Sequence, residues 1–286
     1  MVIQHNISAI DSYRNMSKNT TALNKNLEKL SSGYKINKAG DDAAGLAISE
    51  SMRNKINALD QAEANANDAI GLIQTTEGAL TETHAMLERM TTLATQAANG
   101  TYSTVDAGGT NAGYGASKTA RENIQAEIDE LAKEIDRIAS STDYNGINLL
   151  TNSASRDFQV GPSSKETISL SGQKMTASAL LGANKLGTSM MTVSAANKSI
   201  ETIKSAVEKV SKYRATLGAT QNRLEHTINN LKVANENTTA AESRIRDTDM
   251  AKEISAYTKN NILNQAAQSM LAQANQSPQG VLSLLG

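Results

Sequence analysis

The 286-residue chain has no cysteine, no tryptophan, one phenylalanine and two prolines. Without thiols it can hold no disulfide framework, thiolate nucleophile or cysteine-based zinc site. With 3% aromatics it lacks the anchors around which a wide globular core is usually built. Two prolines leave long stretches with no helix breaker. Charge of one sign is missing too: Lys+Arg 28 against Asp+Glu 29 gives a net charge of -1, without the basic excess of a nucleic-acid or anionic-membrane binder. No apolar run is long enough to span a bilayer, so no membrane insertion is expected. The start MVIQHNISAIDSYRN lacks the basic and apolar parts of a signal peptide. Taken alone, that reads as a cytosolic chain, although some export routes cleave nothing. What is present is 39% hydrophobic residues, mostly small and aliphatic, which suit a long, thin, mainly helical bundle better than a compact enzyme.

Periodicity carries the reading further. Residues 46–98 form one helix of about 53 residues, roughly 80 Å long at the helical rise. Within it Met52, Leu59, Ala66, Ile73, Leu80, Leu87 and Ala94 stand seven apart, and all are apolar. The companion seam is assigned to Ile56, Glu63, Ile70, Glu77, His84 and Thr91, a mixed set. A repeat sustained this long implies a narrow, left-handed supercoiled seam. Gly71 and Gly78 each cost about 1 kcal/mol relative to Ala inside a helix, as tolerated defects or as sites of close backbone approach. A second helix covers 124–139, with Ile124, Ile128, Leu131, Ile135 and Ile138 inward and an Asp129 to Lys133 pair outside. A third covers about 195–240, carrying Ile200, Ile203, Val207, Val210, Leu217, Leu224, Ile228 and Leu231, interrupted by Arg214 and Gln221. These stripes should be buried against each other.

The two ends differ from this rod. Residues 2–34 carry Ala9, Tyr13, Met16, Leu23, Leu27, Leu30 and Tyr34; residues 245–275 carry Met250, Ile254, Tyr257, Leu263, Ala267, Met270 and Ala274. Both are rich in Asn, Gln, Ser and Thr, so each is marginal as a lone helix. They are expected to pair with each other and with neighbouring copies, with Met16, Leu23, Leu27, Leu30, Ile254, Leu263, Met270 and Leu271 as polymerisation seams. The composition of 99–117 is that of a loop, and 141–190, with its Asn145-Gly146 turn signal, holds one or two β-hairpins. The expected order is three helices, a small β region, then two helices. The domains expected are a terminal pair (1–42 with 246–286), a helical rod (43–150 with 191–245) and a β-hairpin region (141–190).

Little in the sequence carries chemistry. GYGASKT at 113–119 lacks the Gly before Lys, and the preceding buried strand, that a phosphate loop needs. Asp41 and Asp42 are read as a helix cap and a partner of the helix dipole, and Asp247 and Asp249 as a helix start. His5, His84 and His226 form no HExxH and are read as structural, the latter two on or beside the seams. Glu127, Asp129 and Glu130 lie on solvated faces. No catalytic, cofactor or metal site is assigned.

Several blocks are nonetheless specific. MVIQHNISAI at the start, LEKLSSGYKINKAGDDAAGLAIS (27–49), IQTTEGALTETHAML (73–87), RLEHTINNL (223–231), AAESRIRDTDMAKE (240–253) and NNILNQAAQSMLAQANQSPQGVLSLLG (260–286) closely resemble bacterial flagellin. The resemblance implies a filament subunit with an inner domain of paired terminal helices and a surrounding helical rod with a β-hairpin. With only about 45 residues between the rod halves, it implies no large outer variable domain. It also implies export unfolded and uncleaved through the flagellar secretion channel. The implied partners are copies of itself, an export chaperone, hook-associated and cap proteins, and the host Toll-like receptor that senses flagellin. The family's receptor-contact motif falls on LERMTTLA (87–94) and the facing helix, which matches Arg89, Leu93 and Glu127 to the key positions. Thr91 and Thr92 stand where receptor-active relatives usually carry charge. The runner-up is a hook–filament junction protein, which has similar ends. A flagellin-borne metallopeptidase would need the missing HExxH, and an export-tip or adhesin protein would not need these end blocks.

Overall fold

The computed structural model describes residues 6–100, 115–182 and 192–285, with side chains at all of them except 115–120 and 277–285. The elements run α1 (Ile7–Ser32), α2 (Ala43–Ala97), α3 (Gly115–Ser141), β1 (Ser155–Gln159), β2 (Thr167–Ser171), α4 (Ala177–Leu181), α5 (Val193–Arg246) and α6 (Met250–Leu285). They fall into two compact units: Met1–Asn57 with Asn235–Gly286, and Ala58–Ala234. The class is therefore the expected helical bundle with a small antiparallel sheet.

In the unit spanning 58–234, α2 and α5 bury their residues at a strict alternation of three and four. On α2 the heptad position read from the sequence is buried from Leu59 through Ala66, Ile73, Leu80 and Leu87 to Ala94. Its companion is not the assigned set. Ala62, Ala69, Thr76, Thr83, Met90 and Ala97 are buried instead. Glu63, Ile70, Glu77, His84 and Thr91 are left half-buried beside them. Threonine can occupy such a seam because its hydroxyl bonds back to its own helix: Thr76 Oγ1 donates to the Leu72 carbonyl (2.8 Å) and Thr83 Oγ1 to that of Ala79 (2.9 Å). The same alternation on α5 runs through Ala196, Ser199, Ile203, Ala206, Val210, Tyr213, Leu217, Thr220 and Leu224. Tyr213 and Thr220 thus fill the two interruptions assigned to Arg214 and Gln221, and Ile200 and Val207 flank the stripe half-buried.

Ion pairs of Glu63 with Lys232 and of Glu77 with Arg214, both 3.5 Å, advance along α2 as they retreat along α5, so the two helices are antiparallel. α3 is longer than the expected 124–139. It buries Ile124, Ile128, Ala132, Ile135 and Ala139 in the same core. Its outer pairing is Lys133 with Glu130 (2.6 Å), while Asp129 accepts from Gln125 (2.9 Å), in place of the expected Asp129 to Lys133 pair.

The β region closes this core from one side. β1 and β2 pair antiparallel with Phe158 opposite Ile168 and Arg156 opposite Leu170. Ile168 and Leu170 alternate inward while Thr167, Ser169 and Ser171 stay exposed, the period-2 pattern of a half-buried strand. Before the hairpin, Tyr144 and Ile147 exchange both backbone hydrogen bonds at 3.0 Å around Asn145 (φ 52°) and Gly146 (φ 75°). Both central residues have positive φ, as a tight Asn-Gly hairpin turn requires. The Asp136 carboxylate then accepts from the Ala177 amide (2.8 Å), fixing the start of α4 to α3.

The other unit holds α1, α6 and the residues that join them to α2 and α5. Asn6 caps α1 by accepting from the Ala9 amide, and Gly33 (φ 76°) ends the helix in a left-handed turn. Asp42 caps α2 through the Gly45 amide (2.9 Å), and Asp249 caps α6 through the Lys252 amide (3.1 Å), as expected. Asp41 does something other than complement a dipole. Its Oδ2 accepts from the amides of Asn37 (3.3 Å) and Lys38 (3.1 Å), closing the connecting turn, and these bonds, the Lys38 amide foremost, hold its carboxyl below the usual range.

Two glycines separate tolerance from necessity. A methyl on Gly78 would meet nothing within 4 Å, whereas on Gly172 it would lie 2.8 Å from the Asn152 carbonyl and 3.0 Å from that of Ala154. At Gly71 the nearest atoms are those of the Tyr144 ring, from 3.4 Å, an ordinary contact distance. Gly78→Ala should therefore raise stability by about 0.5–1 kcal/mol in urea unfolding, and Gly172→Ala should lower it by about 1–3 kcal/mol.

Candidate assembly and recognition surfaces

The terminal pair has two chemically different faces. Along α1, the half-buried positions facing α6 are Ala9, Ser12, Met16, Asn19, Leu23, Asn26 and Leu30; along α6 they are Glu253, Tyr257, Asn260, Asn264, Ala267, Leu271 and Ala274. Met16, Leu23, Leu30 and Leu271, all assigned as seam residues from the sequence, therefore lie in the seam within one chain. Leu27 (54% exposed), Ile254 (52%), Leu263 (41%) and Met270 (59%) do not. They stand with Ile7, Ile10, Tyr13, Met250 and Ile262 on faces that nothing among the described residues covers. Apart from Val193 and Val233, every large exposed hydrophobic side chain belongs to this unit, and Ile36 is its sole buried hydrophobic among the described residues. Covering one Leu, Ile or Met fully is worth about 1.5–3 kcal/mol. The unit withholds most of that gain from its own fold.

The joint between the paired helices and the rest of the same unit is polar. Tyr34 and Asp247 form a β-bridge, in which the Lys35 amide donates to the Arg246 carbonyl (2.7 Å) and the Thr248 amide to that of Gly33 (2.9 Å). The Tyr34 ring lies under the guanidinium of Arg246 (4.7 Å to its centroid) and near that of Arg53 (5.8 Å). Arg53 in turn donates to the largely buried Glu242 (3.0 Å). Ile36 packs beside Gly45, where a methyl would sit 2.8 Å from Ile36 Cδ1 and 2.5 Å from Asp42 Oδ2. Sequence reading placed Tyr34 on the α1 stripe. It had no signal for the cation–π pair, because Arg53 and Arg246 are remote in sequence.

On the other unit, Arg89 and Glu127 do meet. Arg89 Nε donates to Glu127 Oε1 (2.9 Å), and its Nη2 lies 2.8 Å from the same oxygen, across α2 and α3. Both side chains are about half exposed, so the pair contributes roughly 0.2–1 kcal/mol to stability and remains available to another surface. Leu93 is 3% exposed and lies in the core with Leu87, Met90 and Ala94. The segment 87–94 therefore shows solvent Glu88, Arg89 and Thr92, with Thr91 partly covered. His84 Nε2 approaches Glu88 (3.3 Å) beside the seam, whereas His226 is exposed rather than at a seam. His5, Gly113 and Tyr114 lie outside the described residues, and 115–119 form the opening turns of α3.

Comparison with known proteins gives the family. The family profile described as the bacterial flagellin N-terminal helical region matches residues 3–155, and that of the C-terminal helical region matches 200–285. The chain belongs to the bacterial flagellin family. The flagellin of Halalkalibacterium halodurans is 48% identical over 286 residues, and that of Bacillus subtilis (strain 168) is 46% identical over 315, each alignment covering 100% of both chains. Full coverage of relatives this short agrees with the absence of a large outer domain. A solved flagellar hook-associated protein from Vibrio parahaemolyticus has a TM-score of 0.56 at 14% identity, covering 72% of this chain and 100% of that one. At that identity the likeness shows the fold alone. Family membership identifies a structural filament protein and not an enzyme.

Exposure sorts the residues assigned from the sequence by what their loss should do to one chain. Leu93→Ala should cost about 2–5 kcal/mol in urea unfolding of the monomer, because it opens a cavity in the core. Leu27→Ala should stay within about 0.5 kcal/mol of the unaltered chain in the same measurement.

Proposed function

We propose that this chain polymerises into the flagellar filament that drives bacterial motility, and that the uncovered faces of α1 and α6 are its principal intersubunit surface. The observation that supports this reading most is the distribution of apolar residues. Ile7, Ile10, Tyr13 and Leu27 on α1, with Ile254, Ile262, Leu263 and Met270 on α6, are exposed within one chain. Neighbouring copies would remove them from water, so ordering of the ends is coupled to assembly. Head-to-tail contacts that do not close would then extend as a helix. Export uncleaved through the flagellar channel, an export chaperone, and capping and hook-associated partners belong to the same reading.

Two substitutions on that face test it. Leu263→Asn with Met270→Asn should abolish filaments in electron microscopy under polymerising conditions. Monomer unfolding should shift by less than about 1 kcal/mol, since neither side chain lies in the core. Filaments of normal length from the double variant would refute the assignment. Failure of the unaltered chain to polymerise would favour the hook–filament junction role instead.

A second surface is proposed as the contact for the host Toll-like receptor. The Arg89 and Glu127 pair offers one charge of each sign across two helices, while Leu93 is buried in the core and offers no exposed anchor. Arg89→Ala combined with Glu127→Ala should weaken binding to a receptor ectodomain at least tenfold in a surface-binding assay, with the fold intact by circular dichroism. Unchanged affinity would remove this surface from consideration.

A further inference from the structure

The chain has neither thiol nor indole, so its ten methionines carry the most readily oxidised side chains. They divide by placement. Met90 (0% exposed) and Met175 (1%) are sealed in the core of the unit spanning 58–234. Met16, Met52 and Met86 are half-buried, and Met1, Met190 and Met191 lie outside the described residues. Met250 (45%) and Met270 (59%) are open, and both belong to α6. Met270 follows Leu263 (41%) by seven residues, which places the two side chains on one helical face about two turns apart. Met250 opens the helix, with Ile254 (52%) about one turn beyond it. Each open thioether thus has an uncovered apolar neighbour on its own face, where an unbranched, polarisable side chain adapts well to an incoming surface.

We propose that Met270 and Met250 are modification sites at which a peroxide reversibly blocks assembly of the free subunit, and that polymerisation then shields them. The consequence for assembly rests on the reading given above. In the step itself the thioether sulfur attacks one oxygen of the peroxide, so an S–O bond forms as the O–O bond breaks. Sulfur is oxidised by two electrons and the peroxide is reduced. The departing hydroxide takes the proton of the transferred oxygen and leaves as water. The product is a sulfoxide, polar where the thioether was apolar, and reductases return it to the thioether. In the free chain residues 250 and 270 face water in either state, so the fold of the monomer is indifferent to the change. A contact that removes residue 270 from water strips the sulfoxide oxygen of its hydration, and packing between apolar side chains gives it no donor in return. Oxidation there therefore acts on assembly and spares the fold, whereas the same lesion at Met90 or Met175 would disrupt the core.

The test treats the full-length monomer with dilute hydrogen peroxide and follows each methionine by peptide mass spectrometry. Residues 250 and 270 should gain one oxygen about tenfold faster than residues 90 and 175. The oxidised parent should polymerise about tenfold more slowly in sedimentation and electron microscopy, with its circular dichroism unchanged. Methionine sulfoxide reductases acting on both epimers should restore it. Met250→Leu with Met270→Leu keeps the apolar volume, so that chain should polymerise like the parent both before and after peroxide. Reductase rescue of the parent reads the same point without any substitution. In preformed filaments residue 270 should oxidise about tenfold more slowly than in monomer. Equal oxidation of residues 270 and 90, undiminished polymerisation of the oxidised parent, or an equal loss in the oxidised double Leu variant would overturn the inference. So would equal oxidation of residue 270 in filament and monomer. Failure of the untreated parent to polymerise would instead overturn the assembly reading, while the order of oxidation in monomer still decides which thioethers a peroxide reaches.

Discussion

The structure turns on one constraint: the terminal helices carry apolar residues that they do not bury against each other. In the unit spanning 58–234, every heptad position of α2 from Leu59 to Ala97 is buried, and the chain satisfies itself. In the unit that holds the two ends, Ile36 is the sole buried hydrophobic among the described residues, while Ile10, Leu27, Ile254 and Met270 are more than half exposed. Conformational entropy must be offset by buried surface, and there the surface is left for another molecule. A subunit that satisfied its own ends would have no reason to assemble.

The self-sufficient unit shows how thin a core can be and still hold. Its seam is made of Ala, Leu, Ile and, at Thr76, Thr83 and Thr220, a β-branched side chain whose hydroxyl is returned to the helix backbone. Small residues permit close approach of long helices, and the alternation of three and four keeps one stripe facing the partner over many turns. The small sheet, through Ile168 and Leu170, adds apolar surface to the same core. The joint at Tyr34 works differently, by cation–π contact and the pairing of Arg53 with the largely buried Glu242, interactions that depend on geometry more than on area.

Much of this was legible from residue order, and the errors have a common cause. Leu59, Ile73, Leu80 and Leu87 were readable as one seam position because the same residue class recurs every seventh place. The companion position was misassigned to Ile70 and His84 because residues three after and four after a seam residue are both on its helical face. Which of the two is buried depends on where the partner helix lies. Thr76 and Thr83 were passed over because a hydroxyl scores as polar when its local hydrogen bond is not seen. The same blindness affected Leu93, an apolar residue four places from an exposed Arg, and Leu27, an apolar residue four places from the buried-side Leu23.

Composition and periodicity by themselves determined that the chain is mainly helical with long amphipathic stripes, because absent breakers, absent aromatics and a seven-residue repeat act locally, through propensity and stripe. The sequence blocks likewise determined the family. Only the tertiary structure decided which side of each stripe faces inward, which asparagines meet across α1 and α6, and that Arg89 meets Glu127 while Leu93 is buried in the core. Those are facts about neighbours distant in sequence. A side chain's burial and hydrogen bonds are set by what stands opposite it, and no period along one helix specifies that.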